Sequence, residues 1–129
     1  MKPPTVIIDI DGCVIEHQGK GAREQWFGRQ TLIQGVAEQL DRLEAAGACI
    51  ILITARKEVM RERLVTTLKE LCIHYDQLIM GVTSGTRYMI NDRKDHNPDS
   101  ITSIGYSINR NEVGALKITV DDILGVTEQ

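Results

Sequence analysis

Two aspartates interrupt an otherwise apolar run near the start of the chain, TVIIDIDGCV, residues 5–14. Asp9 and Asp11 are two residues apart, so in an extended chain they project to the same side. Burying a lone carboxylate is expensive, so a cation or hydrogen-bond partners are expected beside them. Two carboxylates held close also repel, which can keep one of them protonated near neutral pH. One can then attack as a nucleophile while the other donates a proton. A bound Mg²⁺ would change that balance, because the ion is the largest charge nearby. The plainer alternative is a strand-end turn in which Asp11 caps a backbone amide.

Two further polar groups follow apolar runs. In ITAR, residues 53–56, the Thr54 hydroxyl and the amides after it can bind a phosphate oxygen or cap a helix. Arg56 offers a forked donor to phosphate, or else remains on the surface. In INDRKD, residues 90–95, Asp92 and Asp95 can complete an oxygen-rich Mg²⁺ site with Asp9, or form an ordinary polar turn. The substrate-binding candidates are Gly12, which permits a tight turn, Ala55, Arg56 and Lys94.

The elements that must position these groups are legible from periodicity. Residues 6–10 and 48–53 read as buried strands, rich in β-branched residues. Residues 77–80 and 87–90 read as shorter ones. Ile33, Val36, Leu40 and Leu43 mark one amphipathic helix, with Gly47 as its stop. Met60, Leu64, Leu68 and Leu71 mark a second. Residues 13–30 lack a period and carry glycines at 19, 21 and 28, which suggests a flap. Trp26 and Phe27 would close it over a ligand or anchor it to the core. Residues 115–124 suggest a strand with a short helical tail, and residues 101–111 have no definite signal. Strands alternating with amphipathic helices predict an α/β fold: a three-layer, Rossmann-like parallel sheet with helices on both faces. Ligands of such sheets bind beyond the carboxyl ends of the strands, where all three polar groups fall.

The 129 residues suit one domain, 1–129. With 42% apolar and 26% charged residues and a net charge of −3, a globular chain is expected and a broadly basic nucleic-acid surface is not. No apolar run reaches membrane-spanning length, and no signal peptide is evident, so no membrane partner and a cytoplasmic location are expected. Cys13, Cys49 and Cys72 are odd in number and widely spaced, unlike a disulfide framework or a CxxC site. His17, His74 and His96 lack convincing metal-ligand spacing. His17 and His96 remain candidates for substrate contact, and His74 for a structural role.

The motifs DIDG (9–12), ITAR (53–56) and IND (90–92) resemble the haloacid dehalogenase (HAD) superfamily, in the DxD form of its phosphatase branch. The resemblance covers residues 6–95. It implies that Asp9 is a nucleophile forming an aspartyl-phosphate, and that Asp11 is the acid and then the base. It implies that Thr54 binds the transferring phosphoryl group. It implies that Mg²⁺ is held by Asp9, the backbone carbonyl of Asp11, and Asp92. Members usually carry a lysine or arginine that pairs with the nucleophile. Here Arg87 is the first choice and Lys94 the alternative. Asn91 stands where some relatives carry a second aspartate. About twenty residues between Asp11 and the first long helix leave room for a flap but not for a large cap domain.

The resulting expectation is a Mg²⁺-dependent phosphatase with an open site. Its substrate would be a nucleotide, a sugar phosphate or a phosphorylated polymer end. A catalytically weak binding or regulatory module, or a phosphotransferase with another acceptor, are the alternatives. A homo-oligomer, dimer or tetramer, could cover the open edge, with ITSIGYSI (101–108) as an exposed strand.

Overall fold

The computed structural model describes residues 2–126. Met1 and residues 127–129, which the expected single domain includes, lie outside the described residues. Three parallel strands form the sheet in the order β1 (Thr5–Asp9), β2 (Cys49–Thr54) and β3 (Gln77–Met80). Registers Asp9↔Ile53 and Thr54↔Met80 bring the three carboxyl ends level. Asp9 and Thr54 thus reach the same edge of the sheet.

The helices lie in the connections. α1 (Ala22–Phe27) belongs to the flap, and α2 (Val36–Ala45) precedes β2. A 3₁₀ turn at Glu58–Met60 leads into α3 (Arg61–Glu70). α4 (Ala115–Leu124) packs against α2. Parallel strands added in one direction through right-handed crossovers place α2 and α3 on the same face of the sheet. Burial follows that rule. Ile8, Ile50, Leu52, Leu78 and Met80 are buried together with Leu40, Leu43, Leu64, Leu68 and Val120. On the alternate face Ile7 is 47% exposed and Ile79 43%. The structure is therefore an α/β fold with a small parallel sheet, and the full helical cover expected on both faces is not seen at these positions.

Two expected elements differ. Residues 87–90 do not form a strand, and Ile90 is 93% exposed. A four-residue run gains little from β propensity alone, because strand stability comes from the neighbours it packs on. Residues 115–124 are helical throughout rather than a strand with a tail. Their β-branched residues suggested a strand, but Leu116, Val120 and Leu124 recur every fourth residue and sit on or against the core. Gly114 and Gly125 flank this helix with left-handed backbone, a conformation glycine adopts without cost.

Candidate active site

The loop after β1 turns at Gly12, whose φ is +96°. The turn is closed by Gly12 N–H donating to the Ile15 carbonyl at 2.8 Å. It leaves the two aspartates in different surroundings.

Asp9, at the end of β1, keeps a third of its side chain exposed. Its nearest cation is Arg87, with Nη2 3.7 Å from Oδ1. Burial holds the Asp9 carboxyl above the usual carboxylate range. Arg87 works against that shift and Asp11 adds to it, while the Ile10 backbone N–H and His17 also favour the charged form.

Asp11 is fully engaged. Arg56 grips it with both arms of its fork: Nη2 lies 2.7 Å from Oδ1, and Nε 3.2 Å from Oδ2. Gln25 Nε2 donates to Oδ1 at 2.9 Å, and the Thr54 hydroxyl stands 3.5 Å from Oδ2. Arg56 is only 2% exposed, so it is not a surface residue, and its fork is spent on Asp11. Its Nη2 also donates to Gln30 Oε1 at 2.7 Å. Thr54 is buried, and its Oγ1 accepts the Arg56 backbone N–H at 3.1 Å, the geometry of a local turn. Ala55 lies between them and is partly buried.

The flap supplies the rest of this network. Gln25 is buried and satisfied at both ends: Nε2 also donates to the Glu16 carbonyl, and Oε1 accepts from Gln18 N–H. Gln30 Nε2 donates to the carbonyls of Gln25 and Gly28. Trp26 packs partly buried against the core, while Phe27 is exposed with the Arg63 guanidinium over its ring, 5.1 Å from the centroid. Trp26 is thus an anchor. Gln25 and Gln30 carried no periodic signal in the sequence and were not among the expected site residues.

The third group is exposed. Asp92 is exposed, in a turn where its N–H bonds Asn91 Oδ1 and its carbonyl accepts from Thr102. Lys94, Asp95 and His96 form an exposed 3₁₀ turn. Among the described residues, the carboxylates of Asp9, Asp11 and Asp92 are not gathered within 4.8 Å of one another. With the Asp11 carboxylate taken by Arg56 and Gln25, a Mg²⁺ held by all three carboxylates does not fit; the expected set of Asp9, the Asp11 backbone carbonyl and Asp92 does not use that carboxylate. The exposed group that does converge is Asp41, Glu44 and His74. There the two ring nitrogens of His74 each face a different carboxylate at 3.5 Å.

No family model and no curated protein matches the chain. Solved structures that resemble it include two chains of one kind of complex. A chain of the Pnkp1/Rnl/Hen1 complex is 29% identical over 67% of this chain and 30% of that one, with a TM-score of 0.54. A chain of the Pnkp1/Rnl/Hen1 RNA repair complex is 26% identical over 75% of this chain and 28% of that one, with a TM-score of 0.53. This chain spans less than a third of the length of either. Among the described residues no helix is long and apolar enough to cross a membrane.

Proposed function

We propose that this chain is a phosphomonoester hydrolase of the HAD type, acting on a phosphorylated polymer end. The observation that carries the reading is the unequal pair at the end of β1. Asp9 is partly open to solvent with one cation, Arg87, 3.7 Å away, whereas Asp11 is held from several sides. That is the division of labour between an attacking carboxylate and a positioned acid and base.

In this mechanism an Asp9 oxygen attacks phosphorus. The bond to the leaving oxygen breaks, and Asp11, which must first take up a proton and turn from Arg56, supplies the proton that oxygen needs. Water then attacks the aspartyl-phosphate, Asp11 takes its proton, and phosphate leaves with Asp9 regenerated. Arg87, next to Asp9, would offset charge on the phosphoryl oxygens. Thr54 and Arg56 act here mainly by holding Asp11. Lys94 would meet the substrate farther out. Mg²⁺ dependence is part of the proposal: Asp9, the Asp11 backbone carbonyl and Asp92 would hold the ion, which would offset charge on the phosphoryl oxygens. A single domain, a cytoplasmic location and self-association are part of the same proposal.

The choice of a polymer end rests on the two similar structures, which belong to an RNA repair complex, and on a flap too small to enclose a substrate. The test is phosphate release from phosphorylated oligonucleotides, nucleotides and sugar phosphates, with Mg²⁺, by wild type and Asp9→Asn. Release that vanishes in the variant supports the reading. Substrate binding without release favours the second reading, a non-catalytic binding module, for which the clamping of Asp11 by Arg56 speaks.

A further inference from the structure

The turn at residues 109–112 belongs to neither the sheet nor the flap, yet it is docked on the loop that follows Asp11. Asn111 N–H donates to the Gly12 carbonyl at 2.8 Å. The Asn111 side chain pairs reciprocally with the backbone of His17: Oδ1 accepts His17 N–H, and Nδ2 donates to the His17 carbonyl, each at 2.6 Å. Asn111 does this with φ at +61°, a conformation that few residues other than glycine adopt, asparagine among them. Three hydrogen bonds fix this turn in place, at a backbone angle that asparagine tolerates.

The consequence falls on Arg110. Its stem lies against Gly12, so close that a methyl group on Gly12 would come 3.3 Å from Arg110 Cγ. Arg110 is exposed, and no ion pair among the described residues involves it. The fold therefore anchors the stem of an exposed arginine, in no ion pair among the described residues, against the loop that follows Asp11. Arg87 already serves the position beside Asp9.

We infer that Arg110 is a specificity residue that takes a second phosphate, next to the one attacked, and that Asn111 is the positioning residue that holds it there. This inference rests on the hydrolase reading above. It narrows the substrate to a terminal phosphomonoester with a neighbouring phosphate. Guanidinium recognises phosphate through paired donors whatever the rest of the molecule, so the neighbour can be the next phosphodiester of a polynucleotide or the second phosphate of a small bisphosphorylated nucleoside.

The test compares wild type, Arg110→Gln and Asn111→Gly on three substrates: an end-phosphorylated oligonucleotide, a nucleoside 3′,5′-bisphosphate, and 4-nitrophenyl phosphate, which carries one phosphate only. Glycine suits the backbone of residue 111 and keeps its N–H, so that variant deletes the side-chain pair without straining the turn. Arg110→Gln is expected to raise KM for the oligonucleotide about tenfold with kcat unchanged, the value of one charge-assisted contact. It should leave 4-nitrophenyl phosphate within about twofold. Asn111→Gly should give a smaller change of the same kind. The slope of log affinity against log salt, read by fluorescence anisotropy of the labelled oligonucleotide, should become shallower by about 0.7 in Arg110→Gln. The same loss on the bisphosphate supports recognition of the second phosphate alone; a loss confined to the oligonucleotide supports a polymer end. An equal effect on all three substrates, or none on any, overturns the inference. Failure of wild type to release phosphate from any substrate overturns the hydrolase reading instead. The anisotropy slope still decides the role of Arg110 in that case, since an unchanged slope refutes it.

Discussion

Replacing Arg56 by methionine should unfold the protein more easily than the loss of almost any surface charge would. The side chain is 2% exposed, and its fork holds both oxygens of Asp11. Methionine fills similar volume but leaves the Asp11 carboxylate facing the interior without its cation, and leaves Gln30 Oε1 without its donor. Breaking a buried pair by removing one partner costs about 3–5 kcal/mol. Asp11 retains some exposure and keeps Gln25 as a donor, so the lower end, about 3 kcal/mol, is expected here. For a domain of this size that lowers Tm by roughly 10 °C. The assay is urea unfolding of four proteins: wild type, Arg56→Met, Asp11→Asn and the double variant. The double variant should be more stable than the sum of the single losses predicts, by about 2 kcal/mol, because no orphan charge remains. A cost for Arg56→Met below about 1 kcal/mol, with additive single changes, would put the pair in the class of solvated ion pairs and refute the account of Asp11 as a carboxylate clamped from inside.

Other predictions follow from the same site. Asp9→Asn should abolish phosphate release yet raise Tm at pH 7. Burial raises the Asp9 pKa, so the ionised group opposes folding above its folded pKa; the gain should fade as pH falls below about 4, where both states are protonated. Thermal scans in EDTA at pH 7 and pH 3.5 check this, and a Tm gain of the same size at both would contradict it. The Cys13 thiol is pushed up to about 11, first by burial and then by the charge of Asp9. Iodoacetamide at pH 8 should therefore label exposed Cys72 before Cys13, and Cys13 should react faster in Asp9→Asn. Peptide mapping of the alkylated protein reads both rates. Gln25→Leu should lower kcat by about tenfold with KM little changed, because it removes a donor to Asp11 without touching Asp9; a change confined to KM would place Gln25 in substrate binding instead.

The strands were readable because their signal is local. The first two apolar runs ending in polar residues can only be buried strands that emerge at an edge, and residues 77–80 match β3. The helices α2 and α3 follow from leucines at helical spacing. What escaped depends on tertiary partners. Residues 87–90 have strand-forming types but no neighbour to pair with, and residues 115–124 have β-branched types but a helical apolar face. Asp9 and Asp11 stood out in the sequence because charge in an apolar run is costly. Gln25 and Gln30 did not, since an amide in a polar flap carries no such penalty until the flap folds over Asp11. Arg56 was recognised as a fork, but nothing in ITAR tells whether that fork meets a phosphate or a neighbouring carboxylate. Asn111 offered one hint, a residue type that tolerates left-handed backbone, without any sign of what it would hold.

The central claim is that Asp9 carries the phosphoryl group, and rapid acid quench with a ³²P-end-phosphorylated oligonucleotide tests it most directly. The account predicts label trapped on the wild-type chain, released by hydroxylamine, mapped to the peptide containing Asp9 and absent from Asp9→Asn. Steady phosphate release with no label on the protein, or undiminished release by Asp9→Asn, would contradict it.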